Sequence, residues 1–210
     1  MLIPKPGLTL YHYYRSSCSW RVRWALKIKN VGFNAVPINL LKKEQESQAF
    51  MKRNPNGFVP CLEIDNEFFS ESIAILEWLD ETYKEPPLLP QDPISRLRVR
   101  QLAFTIASGV QPLQNLLAQK IHSSDRKKQL EYACFWIEKG FNAYERLLLA
   151  AKGTYSFESQ LSIADLCLIP QCYNAKRFGL DLQKFPNINS IYQRCMDLES
   201  CKSSKPEAYT

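Results

Sequence analysis

The stretch KEPPLLPQDP, residues 84 to 93, divides the chain into two parts whose apolar residues recur with different periods. Its four prolines forbid a continuous helix, because each lacks a backbone N–H and crowds the turn before it. Short alternating runs interleave with helical patterns ahead of this break, and only helical periods follow it. A chain of 210 residues can bury one large core or two small ones. The change of period near residue 87 selects two.

In the first part, LTLYHY (8 to 13) alternates and is rich in aromatic and β-branched types, as a strand should be. A helix follows in which Val22, Ala25 and Leu26 share one face, with Arg21, Arg23 and Lys27 expected off that face. Then come NAVPINL (34 to 40), a polar stretch with weak helical character (42 to 52), PCLEI (60 to 64), EFF (67 to 69) and ESIAILEWLDETY (71 to 83). The order reads β-α-β-α-β-β-α.

In the second part Val99, Leu102, Ala103, Ile106 and Val110 form one helical stripe. Leu130, Ala133, Cys134, Ile137, Phe141, Tyr144 and Leu148 form a longer one. Ser162 suits an N-cap, with Asp165 at the third helical position able to reach back to it. Ile188, Ile191, Cys195 and Leu198 predict a last helix. The fold class is therefore a small α/β domain over 1–86 followed by an all-helical domain over 92–210.

Hydrophobic residues at 45% and charged residues at 23% suit a folded soluble chain. The excess of 27 basic over 21 acidic residues gives +6. The basic runs RLRVR and DRKK interleave with apolar positions at helical spacing and read as solvated helix faces, so neither nucleic acid nor membrane is expected as a partner. MLIPKPGLTLYHYY holds two prolines and no apolar run ahead of a cleavage site, which predicts a cytoplasmic protein, with a mitochondrial pool also open. Seven scattered cysteines with no C-x-x-C and only two histidines offer neither zinc-site nor disulfide spacing, so most read as buried apolar fillers and no metal is expected.

Three stretches carry chemistry. In YYRSSCSWRVRWALK a strand turns into a helix at Ser16 or Ser17, where unpaired backbone N–H groups and the helix dipole favour an anion. The anion could be a thiolate of Cys18 or that of a bound thiol held by the serine hydroxyls; a plain N-cap serine reads the same way. In NPNGFVPCLEID, a cis Val59-Pro60 bond would leave the Val59 backbone groups for an extended peptide, whereas a trans bond makes Pro60 an ordinary strand-entry proline. At SESIAILEWL, Ser72 offers a hydroxyl to a carboxylate and Glu71 a negative charge to an amine, although Ser72 too reads as a simple cap. A thiol site, an extended-peptide site and an amino-acid end-group site together describe a small thiol peptide.

The segments RSSCSWRVRWAL, NPNGFVPCLEID, ESIAILEWLDETY, LLPQDP, GVQPLQNL, SIADLCLIPQCYNAKRFGLDL and FPNINSIYQRC resemble the zeta class of glutathione transferases, the family that includes maleylacetoacetate isomerase. The likeness runs from residue 8 to about 206. It implies a thioredoxin-like N-terminal domain, a helical glutathione-transferase C-terminal domain, glutathione as cofactor and a homodimer. By position, Ser16 is the hydroxyl expected to stabilise the glutathione thiolate, with Ser17 and Cys18 in the same turn. Gln45, Val59, Glu71 and Ser72 match glutathione-binding positions, Gln111 and Asn115 match helical-domain residues facing the site, and Arg177 matches an arginine that holds a substrate carboxylate. Cys61 stands where a threonine is common, and SFESQLS departs from the family's usual loop.

The implied activity is glutathione-dependent isomerisation of maleylacetoacetate to fumarylacetoacetate, a step of tyrosine and phenylalanine catabolism. The rivals are conjugation or dehalogenation of small α-halo acids by the same thiolate, a non-catalytic scaffold, and a Cys18-based disulfide reductase. Cys18-Ser19-Trp20-Arg21 occupies the place of a thioredoxin C-x-x-C, so a resolving thiol for a dithiol cycle is missing.

Overall fold

The structure is a computed structural model and describes residues 3–149 and 153–210. It divides into two compact units: the chain up to Pro87 together with Leu198–Thr210, and Leu88–Asp197.

The first unit runs β1 (Ile3–His12), α1 (Ser17–Ile28), β2 (Val31–Pro37), two 3-10 turns (Leu40–Lys42 and Glu44–Glu46), α2 (Gln48–Met51), β3 (Cys61–Ile64), β4 (Glu67–Phe69) and α3 (Ser72–Thr82). The sheet order is β2-β1-β3-β4. β1 pairs parallel with β2 and antiparallel with β3, so Leu10 stands between Ala35 and Leu62. This is the thioredoxin-like mixed sheet expected from the sequence. The second strand lies three residues earlier than its apolar run, NAVPINL, suggests. Asn39 explains the shift, because its Oδ1 accepts the N–H groups of Leu41 and Lys42 and turns the chain into a 3-10 cap instead of extending the strand.

α1 departs from the expected one-sided helix. Ser17 and every residue from Ser19 to Leu26 are buried, and Arg21 and Arg23 are only 1% and 0% exposed. The reason is the end of the chain. Trp20 Nε1 donates to Ser204 Oγ at 3.0 Å and Trp24 Nε1 to Ser200 Oγ at 3.1 Å. The C-terminal segment thus covers α1 at Trp20 and Trp24, and residues 198–210 belong with the N-terminal unit instead of the helical one. Beyond the helix, Lys29 Nζ donates to Asp80 Oδ1 at 2.7 Å and to the carbonyls of Tyr83 and Pro86, which ties the far end of α1 to that of α3.

The helical unit holds α4 (Pro93–Ala107), α5 (Gln111–Gln114), α6 (Leu116–His122), α7 (Arg126–Leu149), α8 (Ile163–Arg177), a 3-10 turn (Leu182–Lys184) and α9 (Pro186–Asp197). α10 (Glu199–Lys202) and a last 3-10 turn (Pro206–Tyr209) fall in the first unit. Of the predicted stripes, Val99, Leu102, Ala103 and Ile106 on α4, with Val110 just beyond it, and Ala133, Ile137, Phe141, Tyr144 and Leu148 on α7 are core, whereas Leu130 and Cys134 are half-buried. Ser162 caps α8, and buried Asp165 accepts Ser162 N–H at 2.9 Å, Ser162 Oγ–H at 3.0 Å and Ser156 N–H at 2.8 Å. The expected last helix ends at Asp197, and Leu198 is the N-cap of α10.

Candidate active site

Ser16 is the N-cap of α1: its extended backbone (φ −69°, ψ 120°) lets Oγ accept Ser19 N–H at 3.2 Å. Its own N–H donates to the Tyr13 carbonyl at 3.0 Å, closing the turn out of β1. A hydroxyl engaged as an acceptor still has its proton to give. Oγ–H and the first N–H groups of a twelve-residue helix therefore converge where negative charge is favoured. Ser17 is buried beside it, and Cys18 is half-buried.

The head of α3 is tied to this turn. Arg21 Nη1 donates to Ser72 Oγ at 3.1 Å and lies 3.6 Å from Cys18 Sγ. Ser72 is the first residue of α3 and buried, and with its oxygen accepting from Arg21 its proton also remains available. Glu71, exposed at the N-cap, holds φ 68° and ψ 105°. That region is sparsely populated for a residue with a Cβ and costs about 1–3 kcal/mol.

The loop into β3 is the third part. The Val59-Pro60 peptide is cis. The Val59 side chain packs with Tyr13, Phe50 and Cys61 in one buried cluster, with Tyr11, Tyr14, Ile38 and Leu40 against it, so the same apolar group anchors the loop and the residue that opens the Ser16 turn. Asn54 Nδ2 donates to the Phe58 carbonyl at 2.8 Å and fixes the loop's path. Gly57 has φ 64°, and a Cβ there would lie 3.3 Å from the Gln45 carbonyl, so the loop runs directly against Gln45. Gln45 Nε2 donates to Glu46 at 3.3 Å, whereas its buried Oε1 has no hydrogen-bond partner among the described residues. An orphaned acceptor, two serine hydroxyls with protons to give and an exposed carboxylate at Glu71 are the donors and acceptors that a thiol peptide with an amine, a carboxylate and backbone N–H groups requires. The residues present fit glutathione.

Three expected site residues lie in the helical unit. Gln111 opens α5 and is half-buried. Asn115 is the N-cap of α6, with Oδ1 accepting Ala118 N–H at 2.9 Å. Arg177 ends α8, exposed, with Nη1 donating to Asn174 Oδ1 at 3.3 Å.

A family profile described as "Glutathione S-transferase, N-terminal domain" matches residues 10–87. The chain is 46% identical to the maleylacetoacetate isomerase of Rattus norvegicus over 94% of its own length and 91% of the relative's. It belongs to the zeta-class glutathione transferase family, that of maleylacetoacetate isomerase. Among solved structures, a bacterial zeta-class maleyl pyruvate isomerase superposes with a TM-score of 0.92 at 35% identity, covering 95% of this chain and 97% of the other. The maleylacetoacetate isomerase of Anaeromyxobacter dehalogenans, with glutathione in its active site, superposes with a TM-score of 0.86 at 39% identity, covering 95% of both chains.

Within this zeta-class framework the thiols separate by burial. Cys61 is fully buried, and desolvation pushes its thiol up to about 11, so the residue that stands in place of the family's threonine is an inert filler at neutral pH. Cys167, Cys172, Cys195 and Cys201 are buried as well, and no disulfide joins any of the described cysteines. What sequence reasoning missed is the burial of Arg21 and Arg23, which periodicity places only off the face of Val22, Ala25 and Leu26. A signal is present at helical spacing: Trp24 and Ala25 lie beside Arg21, and Trp20 and Leu26 beside Arg23, so neither joins a wholly polar face.

Proposed function

We propose that this protein catalyses the glutathione-dependent cis–trans isomerisation of maleylacetoacetate to fumarylacetoacetate. The head of α1 carries the reading: a capping hydroxyl with its proton to give, on a helix N-terminus, is built to hold a thiolate. When bound, glutathione supplies that thiolate, which adds reversibly to the cis double bond so that the bond can turn and re-form trans with no net consumption of the peptide.

The protein's own residues bind, ionise and orient. Ser16 Oγ–H donates to the sulfur, and with the α1 dipole it lowers the thiol's affinity for its proton; Ser17 and Cys18 line the same turn. Val59 presents its backbone N–H and C=O to the peptide, and Gln45 gives it an acceptor. Ser72 and the α3 N-terminus hold the γ-glutamyl carboxylate, and Glu71 the amine. Gln111 and Asn115 are assigned to glutathione binding by their family positions alone, and the Arg177 guanidinium suits a substrate carboxylate. Isomerisation is favoured over conjugation or dehalogenation of α-halo acids because the rat relative is named for it at 46% identity. A homodimer in the cytoplasm is the setting we propose; among the described residues no helix is long and apolar enough to cross a membrane.

The test is turnover of maleylacetoacetate, or of maleylacetone, with and without glutathione. We expect strict dependence on glutathione and a loss of about 100-fold in kcat for Ser16→Ala, the scale of removing one donor from a developing anion. Turnover without glutathione, or a Ser16→Ala enzyme as fast as wild type, overturns the reading.

A further inference from the structure

Arg23 is fully buried, and among the described residues no carboxylate lies within ion-pair distance of it. A buried guanidinium without a counter-ion persists only if its N–H groups are bonded, and here peptide carbonyls do the bonding. Nη1 donates to the Tyr13 carbonyl at 3.4 Å, Nη2 to the Tyr14 carbonyl at 3.0 Å and Nε to the Ser204 carbonyl at 3.0 Å. Nη1 also meets His12 Nδ1 at 3.2 Å; since a guanidinium only donates, that nitrogen accepts. The Tyr209 ring covers the group with its centroid 4.7 Å from Cζ and meets the His12 ring edge-on at 5.2 Å.

Two of these carbonyls belong to the turn that sets Ser16. The Tyr13 carbonyl that receives Arg23 also receives the Ser16 N–H at 3.0 Å. The guanidinium therefore fixes both peptide planes ahead of the capping hydroxyl. The other half of its shell, Ser204 and Tyr209, comes from the C-terminal segment, which is nearly the whole chain away in sequence.

We propose that Arg23 is a positioning residue for the Ser16 turn, and that the C-terminal segment Leu198–Thr210 is a strap that must dock on α1 for that turn to activate bound glutathione. The proposal rests on the reading of Ser16 given above. Tyr209 keeps water off the guanidinium; without the ring, water competes for the same N–H groups and the bonds to Tyr13 and Tyr14 loosen. The hydroxyl and the helix N-terminus then no longer hold one arrangement toward the sulfur, and the thiol regains affinity for its proton.

The test compares wild type with Tyr209→Ala, a chain lacking Ala208–Thr210, Tyr209→Phe, Arg23→Lys and Ser16→Ala. Two readouts are independent of turnover: amide hydrogen exchange across residues 13–19 without glutathione, and titration of bound glutathione by thiolate ultraviolet absorbance. For Tyr209→Ala and the shortened chain we expect exchange in the turn faster by about tenfold, and a bound thiol that titrates at higher pH. We also expect kcat to fall by about tenfold while KM for glutathione changes by less than about threefold, the mark of a lost orientation rather than lost binding. Arg23→Lys, which cannot span three carbonyls with a planar fork, behaves likewise, and Tyr209→Phe recovers most of the loss. Folded Tyr209→Ala and shortened proteins with wild-type exchange and a wild-type thiol titration overturn the strap. If Ser16→Ala shifts the titration and these variants do not, the strap alone fails; if Ser16→Ala leaves the titration unmoved, the reading of Ser16 fails.

Discussion

Arg21 Nη1 stands 3.1 Å from Ser72 Oγ, so a residue in the second turn of α1 orients the first side chain of α3. The bond spans 51 residues of sequence and joins the head proposed to hold the thiol to the head proposed to hold the amino-acid end of the same peptide. Arg21→Lys keeps the charge but loses the rigid guanidinium whose Nη1 reaches both Ser72 and Cys18. The dissociation constant for glutathione should rise by about tenfold, as measured by calorimetry. Unchanged affinity would show that Ser72 orients itself.

Glu71 pits stability against binding. Its φ of 68° suits glycine, which has no Cβ to crowd the backbone. Glu71→Gly should be as stable as wild type or up to about 1 kcal/mol more stable in urea, yet bind glutathione more weakly by about tenfold, because the carboxylate that faces the amine is gone. A variant that is both destabilised and fully competent in binding contradicts the assignment.

Acid stability reports on the Arg23 pocket. Burial, and then the neighbouring guanidinium, push His12 down from 6.5 to about 4. The folded state prefers neutral His12 while the unfolded chain takes up a proton below pH 6.5, so the unfolded state binds more protons in the window from 6.5 to about 4 and stability falls as pH falls through it. The full loss from this one group is about 3 kcal/mol. Urea unfolding at successive pH values should show that slope in wild type and a shallower one in His12→Gln; equal slopes remove His12 as the cause.

Asp165 holds the entrance to α8. Three donors, Ser156 N–H, Ser162 N–H and Ser162 Oγ–H, end on its buried carboxylate. Asp165→Ala leaves all three buried without an acceptor and should cost about 3–5 kcal/mol in denaturant unfolding. A loss below about 1 kcal/mol would mean that water serves those donors equally well.

The proline break, both helical stripes of the second unit, the Ser16 cap and the pairing of Ser162 with Asp165 were legible because each depends on neighbours within one helical turn or one strand. The covering of α1 was not. Periodicity assumes that a surface helix has one covered face, and the assumption fails where Ser200, Ser204 and Tyr209 return to enclose the other. Residues 198–210 read as part of the helical domain for the same reason. The second strand is shifted because NAVPINL looks extended throughout, while the Asn39 side chain claims the N–H groups of Leu41 and Lys42 for itself. Gln45 is placed by resemblance alone, because the burial of its orphaned side-chain oxygen depends on the folded loops around it.

The state of the sulfur decides the matter most directly. Wild-type protein saturated with glutathione, titrated by the ultraviolet absorbance of the thiolate, should show a bound thiol at least about one unit below the ordinary value of about 8.5, and Ser16→Ala should return it most of the way. A wild-type complex whose thiol ionises near the ordinary value, or a Ser16→Ala complex indistinguishable from wild type, contradicts the account.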